Sequence, residues 1–104
     1  MTTFDDRENA FEAKFAHDEE MKFKAEARRN KLLGLWAAGL LGKSEAEAAA
    51  YAKDVVAADF QEAGEEDVYR KLAADLGARA DEATIRAKMA ELMIEAKRQI
   101  MSEI

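Results

Sequence analysis

A chain of 104 residues has room for one compact domain and little for a second. The absence of cysteine excludes disulfide scaffolds, thiolate metal sites and cysteine nucleophiles, and is compatible with a reducing compartment. A net charge of −6 argues against nucleic acid as a partner, because phosphate binding calls for a surplus of Lys and Arg.

Ala, Glu, Lys, Leu, Arg and Met dominate, there is no proline, and no segment alternates polar and apolar residues long enough to read as a strand. The expected class is all-α, a four-helix bundle over residues 19–104 preceded by a mobile or protruding N-terminal helical segment, residues 1–18. The chain opens Met1-Thr2-Thr3-Phe4 without a basic-then-apolar leader. Its longest apolar stretch, Leu32 to Gly42, is too short to span a bilayer. A cytoplasmic protein without direct membrane insertion is therefore expected.

The first helical run extends from somewhere after Thr3 to about Leu41. The second opens with a capping box, Ser44 and Glu47, carries Ala48, Ala52, Val55 and Val56 on one stripe, and is expected to end near Gly64. The third begins at Glu65, Glu66 and Asp67, acids that suit the positive end of a helix dipole. Val68, Leu72 and Leu76 follow at steps of four, and Gly77 is a left-handed stop. Asp81 caps the last helix, whose core face is Ile85, Met89, Leu92, Ala96 and Ile100. Glu66–Arg70, Asp67–Lys71 and Glu82–Arg86 have the spacing of supporting surface pairs. Short connections near Gly42, Gly64 and Ala78 make consecutive helices antiparallel neighbours.

The N-terminal run departs from this pattern. Phe4, Phe11 and Phe15 fall within about 40° of one another on a helix, a narrow ridge flanked by Asp5, Asp6, Arg7, Glu8, Glu12 and Lys14. Asp18, Lys22 and Arg29 then interrupt that face, and between Asp18 and Lys31 charge surrounds the helix, as it does on a solvent-surrounded stretch. Burying three phenylalanines is worth about 5–9 kcal/mol gross, while an isolated helix of about 12–15 residues is marginal. Two readings stay open: the ridge folds back into its own core, or it lays a helix into a partner's groove.

Other constellations carry less. Ala37 to Ser44 reads AAGLLGKS, one residue short of a P-loop and preceded by a helical run instead of a strand. A helix end followed by a serine cap is the preferred reading, with Lys43 and Ser44 kept as candidates for a weak nucleotide contact. His17 is the single histidine, which leaves no dyad, triad, zinc site or di-iron set; beside Asp18, Glu19 and Glu20 it is a conceivable pH-sensitive hinge, with an exposed, idle His preferred. Lys22, Lys24, Arg28, Arg29 and Lys31 form a basic cluster, read by default as a solvated face and alternatively as a docking patch for an acidic partner. Trp36, among Leu32, Leu33, Leu35 and Leu40, reads as core, with Gly34 and Gly39 allowing close helix approach. No catalytic residue, metal or cofactor is assigned.

The run FDDRENAFEAKFAHDEEMKFKAEARRNKLLGLWAAGLLG, Phe4 to Gly42, is similar to the opening of the alphaproteobacterial ATP synthase zeta subunits, and the likeness continues through the capped second helix to the last. The resemblance implies a four-helix inhibitor, monomeric when free. Its N-terminal segment inserts into the catalytic sector at an interface of the alpha and beta subunits, next to gamma, and blocks rotation and ATP hydrolysis. On this chain that element is Met1 to about Asp18, with Phe4, Phe11 and Phe15 as apolar anchors and Arg7 and Lys14 as charge partners. The alternatives are a helical interaction module that self-associates or docks on another complex, and a weak nucleotide-binding sensor.

Overall fold

The computed structural model describes residues 19–58 and 65–103. Four helices make up this part of the chain: α1 Glu19–Leu40, α2 Glu45–Ala58, α3 Glu66–Leu76 and α4 Glu82–Ser102, with a 3-10 turn Gly77–Arg79 between the last two. The all-α expectation holds, and among the described residues there is no strand and no helix long and apolar enough to cross a membrane. Residues 1–18, which carry the Phe ridge, and residues 59–64, where the expected end of α2 at Gly64 falls, lie outside the described residues.

The helix ends explain the connections. After α1 the chain turns through Gly42 at φ +72°, a left-handed conformation that glycine adopts without a Cβ penalty. There the Lys43 N–H donates to the Ala38 carbonyl at 3.0 Å and the Gly42 N–H to the Gly39 carbonyl at 3.2 Å. This double closure satisfies carbonyls that the helix end would otherwise leave open. Two residues later the expected capping box forms: the Glu47 N–H donates to Ser44 Oγ at 3.2 Å, and the Ser44 N–H donates back to Glu47 Oε1 at 3.0 Å. Asp81 caps α4 by accepting the Thr84 N–H at 2.8 Å, and Gly77, at φ +54°, stops α3 as expected.

α1 is the spine of the fold, packing chiefly on α2 and next on α4. The main core joins Leu33, Ala37, Val55, Val68, Leu72, Leu76, Ile85 and Met89 from all four helices. Each fully buried aliphatic side chain there contributes about 1.5–3 kcal/mol. Gly34 lets α1 and α2 approach: a Cβ on it would stand 2.5 Å from the Ala52 Cα. Gly39 does not serve that purpose, since a Cβ there would meet open space, which corrects the expectation for this residue.

Three further expectations change. Asp18 to Lys31 was expected to be solvated all round, yet Met21, Ala25, Arg29 and Asn30 are buried, and Met21 and Ala25 form a second cluster with Ile100, flanked by Met93 and Met101. Flexible thioethers suit such a small, irregular contact between the ends of α1 and α4. Arg29 is 4% exposed because it has bonding partners inside: its Nε donates to Asn30 Oδ1 at 3.0 Å and its Nη1 to Glu65 Oε2 at 3.3 Å. Trp36 is half-buried against the main core, with the Lys88 ammonium 5.8 Å from its ring centre, so it is not a fully enclosed residue. Among the surface pairs, Glu82–Arg86 forms at 3.1 Å, but Lys71 turns to Asp75 at 3.0 Å, Arg70 reaches Asp67, and Arg86 also bridges to Glu66 at 3.0 Å.

Candidate functional site

The surface offered by the described residues for a partner lies along the seam of α1 and α2. Phe23, Ala27, Lys31 and Leu35 follow one another at steps of four on α1, and helical geometry aligns them in a single stripe. Opposite them α2 presents Ala49, Ala52, Lys53 and Val56. Two hollows open here, of about 450 and about 480 Å³, and Lys31 and Val56 line both, so they form one continuous groove. Its floor is apolar, with Phe23 53% and Leu35 40% exposed, while Lys24, Arg28, Lys31, Lys53 and the carboxylate of Glu103 edge it.

The lower end of this groove is fixed by a clamp. Arg28 donates from Nη1 and Nη2 to the two carboxylate oxygens of Glu103 at 2.7 and 2.9 Å, and from Nη1 to Gln99 Oε1 at 2.8 Å. A two-pronged guanidinium–carboxylate contact holds orientation as well as charge. It ties the middle of α1 to the C-terminal cap of α4, and the hydrogen bond from Arg28 holds the Glu103 carboxyl below its ordinary range. Lys24 is engaged by Glu20 at 3.3 Å. The basic cluster therefore divides: Arg29 is internal, Arg28 is a clamp, and Lys24 and Lys31 edge the groove.

The expected anchors Phe4, Phe11 and Phe15, the charge partners Arg7 and Lys14, and the hinge candidate His17 all lie outside the described residues. Lys43 and Ser44 sit in the α1–α2 turn, where Ser44 is occupied as a helix cap and the Lys43 ammonium lies 5.6 Å from the Tyr51 ring centre. The turn is thus a helix stop followed by a helix start, the reading preferred from sequence. Among the described residues no group of three or more His, Cys, Asp or Glu is placed to hold a metal ion.

The groove coincides neither with the expected core nor with the N-terminal ridge. Leu35 was assigned to the packing around Trp36 and Val56 to the inward stripe of α2, whereas Leu35 is exposed and Val56 is half-buried at the groove's edge. The signal was present in the four-residue spacing of Phe23, Ala27 and Leu35. Lys31 broke it.

A protein-family model described as ATPase inhibitor subunit zeta matches residues 1–99. Among solved structures, one determined by solution NMR is similar at 61% sequence identity with a TM-score of 0.75, covering 81% of this chain and 99% of that one. No curated protein matches the chain.

Proposed function

Because the chain belongs to the family of ATPase inhibitor zeta subunits, we propose that it restrains ATP hydrolysis by an F-type ATP synthase through its N-terminal segment. A family of inhibitors is regulatory and not catalytic, and it acts by binding the synthase. In the finer reading, residues 1–18 form the inhibitory segment, and they enter an interface of the alpha and beta subunits next to gamma as a helix. There Phe4, Phe11 and Phe15 fill an apolar groove, and Arg7 and Lys14 meet acidic groups of the enzyme. The block is steric: a wedge in the path of the rotating shaft, with no bond made or broken by this chain. Residues 19–104 serve as the handle that carries the wedge. The site of action is the cytoplasmic face of the membrane, where the catalytic sector stands, and the free inhibitor is a monomer.

The observation that carries this reading is the extent of the family match, which starts at residue 1 and so takes in the aromatic ridge together with the bundle. The physics of the ridge supports it. Three phenylalanines on one face of a segment rich in acids on its other sides suit burial against a second molecule. Among the described residues, the main core is drawn from all four helices of the bundle.

The test is a chain lacking Met1 to Asp18. It is expected to keep its helical signal and cooperative melting while losing inhibition of the cognate ATPase. Inhibition that persists undiminished in the truncated chain overturns the assignment, and concentration-dependent self-association without any effect on hydrolysis supports a different kind of interaction module.

A further inference from the structure

We propose that the upper hollow of the α1–α2 groove is a second docking surface for the synthase, taking an amphipathic helix whose apolar ridge has carboxylates on both flanks. The identity of the partner rests on the inhibitor reading, while the chemistry of the occupant follows from the groove itself.

The bundle neutralises many of its surface cations locally. Lys24–Glu20, Arg70–Asp67, Lys71–Asp75, Arg86–Glu82, Lys88–Glu91 and Arg98–Glu95 each pair across three or four residues of one helix. Lys31 and Lys53 have no such neighbour. The positions three and four away from Lys31 are Ala27, Arg28, Gly34 and Leu35, and those around Lys53 are Ala49, Ala50, Val56 and Ala57. Both lysines are exposed, and neither forms an ion pair among the described residues.

The two meet at one place. Lys31 from α1 and Lys53 from α2 line the same hollow, whose other walls are Leu35, Ala49, Ala52 and Val56. Further down the groove charge is already balanced: Arg28 holds Glu103, and Lys24 holds Glu20. Uncompensated positive charge in the groove is thus confined to the upper hollow, on a chain whose net charge is −6.

Shape and charge together select the occupant. A trough between two packed helices accepts a third helix, and the short side chains of Ala49 and Ala52 let it come close. Its apolar residues enter the hollow of about 450 Å³ beside Leu35 and Val56, and a carboxylate on each flank meets one lysine. A second copy of this chain is a poorer occupant. Two-fold pairing of the groove with itself would set Lys31 and Lys53 of one copy against the same residues of the other. Position favours the synthase. The proposed inhibitory segment ends at residue 18, and Lys31 stands about 18 Å along α1 from Glu19. A partner held by that segment is therefore within reach of the hollow, and a second contact between molecules already joined strengthens the whole even when weak by itself.

The experiment uses the full chain and the purified cognate catalytic sector. Lys31→Glu and Lys53→Glu are each expected to raise the concentration for half-inhibition about three- to tenfold at low salt, and less at high salt. Lys31→Arg and Lys53→Arg keep the charge and are expected to match the parent. Arg79→Glu, an exposed reversal in the 3-10 turn that does not line the groove, is expected to match it too. Ala49→Trp fills the hollow without altering charge and is expected to weaken inhibition. In the unaltered chain, acylation read by mass spectrometry is expected to find Lys31 and Lys53 protected once the sector is added. That measurement needs no variant, so a folding defect in any substitution leaves it to decide. Groove variants equal to the parent, with both lysines still reactive in the inhibited complex, overturn the proposal and leave the inhibitor reading standing. A loss as large in Arg79→Glu sinks it as well, assigning the effect to overall charge. Protection that grows with the chain's own concentration, without the sector, gives the groove to a second copy instead. A chain that neither binds nor inhibits the sector removes the inhibitor reading and this assignment with it.

Discussion

Gly34 of α1 faces Ala52 of α2 so closely that a Cβ on the glycine would come within 2.5 Å of the Ala52 Cα and 3.0 Å of its Cβ. The obstacle is backbone on a neighbouring helix, which cannot swing aside as a side chain does, so the two helices must separate to admit even one methyl group. That seam also forms the floor of the groove through Ala52.

Gly34→Ala is therefore expected to destabilise the protein by about 1–3 kcal/mol, the usual range for overpacking. Gly39→Ala is the matched control on the same helix. Nothing lies within reach of its Cβ, and relief of glycine's backbone freedom is expected to leave stability unchanged or raise it by up to about 1 kcal/mol. Chemical denaturation of both variants checks the contrast, and a Gly34→Ala chain as stable as its parent contradicts the close approach.

The two side-chain caps are expected to behave alike. Ser44→Ala removes the acceptor for the Glu47 N–H, and Asp81→Ala removes the acceptor for the Thr84 N–H. Each is expected to cost about 0.5–2 kcal/mol. Ser44→Asp keeps an acceptor at the same place and is expected to restore most of the loss, which thermal unfolding measures directly.

These caps were legible in the sequence because capping is local: donor and acceptor lie three residues apart, and nothing distant intervenes. The same holds for the core face Val68, Leu72 and Leu76 and for the stop at Gly77. What resisted reading was the stretch from Met21 to Lys31. Arg29 and Asn30 look like surface residues, and Arg29 becomes internal because Glu65, 36 residues away, comes to its guanidinium. Met21 and Ala25 are covered by Ile100, from the far end of the chain. Burial that depends on long-range partners leaves no periodic trace near the residue itself. The groove was hidden for the complementary reason, since exposed Leu35 and half-buried Val56 have core-like identities and take their surface role from how α1 and α2 pack.

Acid is expected to weaken the bundle in a defined window. Hydrogen bonds from Arg98 and then Gln99 pull the Glu95 carboxyl down to about 2 from an ordinary 4.5. Glu103 is lowered by Arg28, Glu66 by Arg86, Glu47 by Ser44 and Asp81 by Thr84. A carboxyl whose folded pKa lies below its unfolded one stabilises the fold above the unfolded value, and that stabilisation is lost as pH falls through the folded value. Denaturation midpoints are therefore expected to hold from pH 7 to about 5 and to decline between about 4.5 and about 2. These groups are exposed, so salt is expected to flatten the decline. A midpoint that stays constant down to pH 2 contradicts the assigned ion pairs.

Tyr51 and Asp75 give the same logic a single, addressable site. The Tyr51 hydroxyl donates to Asp75 Oδ2 at 2.7 Å, and Lys71 Nζ donates to the same oxygen at 3.0 Å while lying 5.0 Å from the Tyr51 ring centre. Burial, and then the neighbouring Asp75 carboxylate, push the Tyr51 phenol well above its usual range. Burial works to raise the Asp75 carboxyl, but the two donors outweigh it and hold it below the ordinary value. Tyr51→Phe removes one donor and leaves the ring, so the Asp75 pKa is expected to rise. The cost is about 1 kcal/mol, below the usual value for a hydrogen bond to a charged group because the Asp75 side chain is 35% exposed. Its sign with pH follows: the depressed carboxyl stabilises the parent above its unfolded pKa, so the difference between parent and variant is largest near neutral pH. It narrows as acid protonates Asp75 in both. Carboxyl carbon shifts of Asp75 across the titration, set beside unfolding free energies at pH 7 and pH 3, test both halves. An unmoved Asp75 titration in the Phe variant shows that Lys71 alone holds the carboxylate.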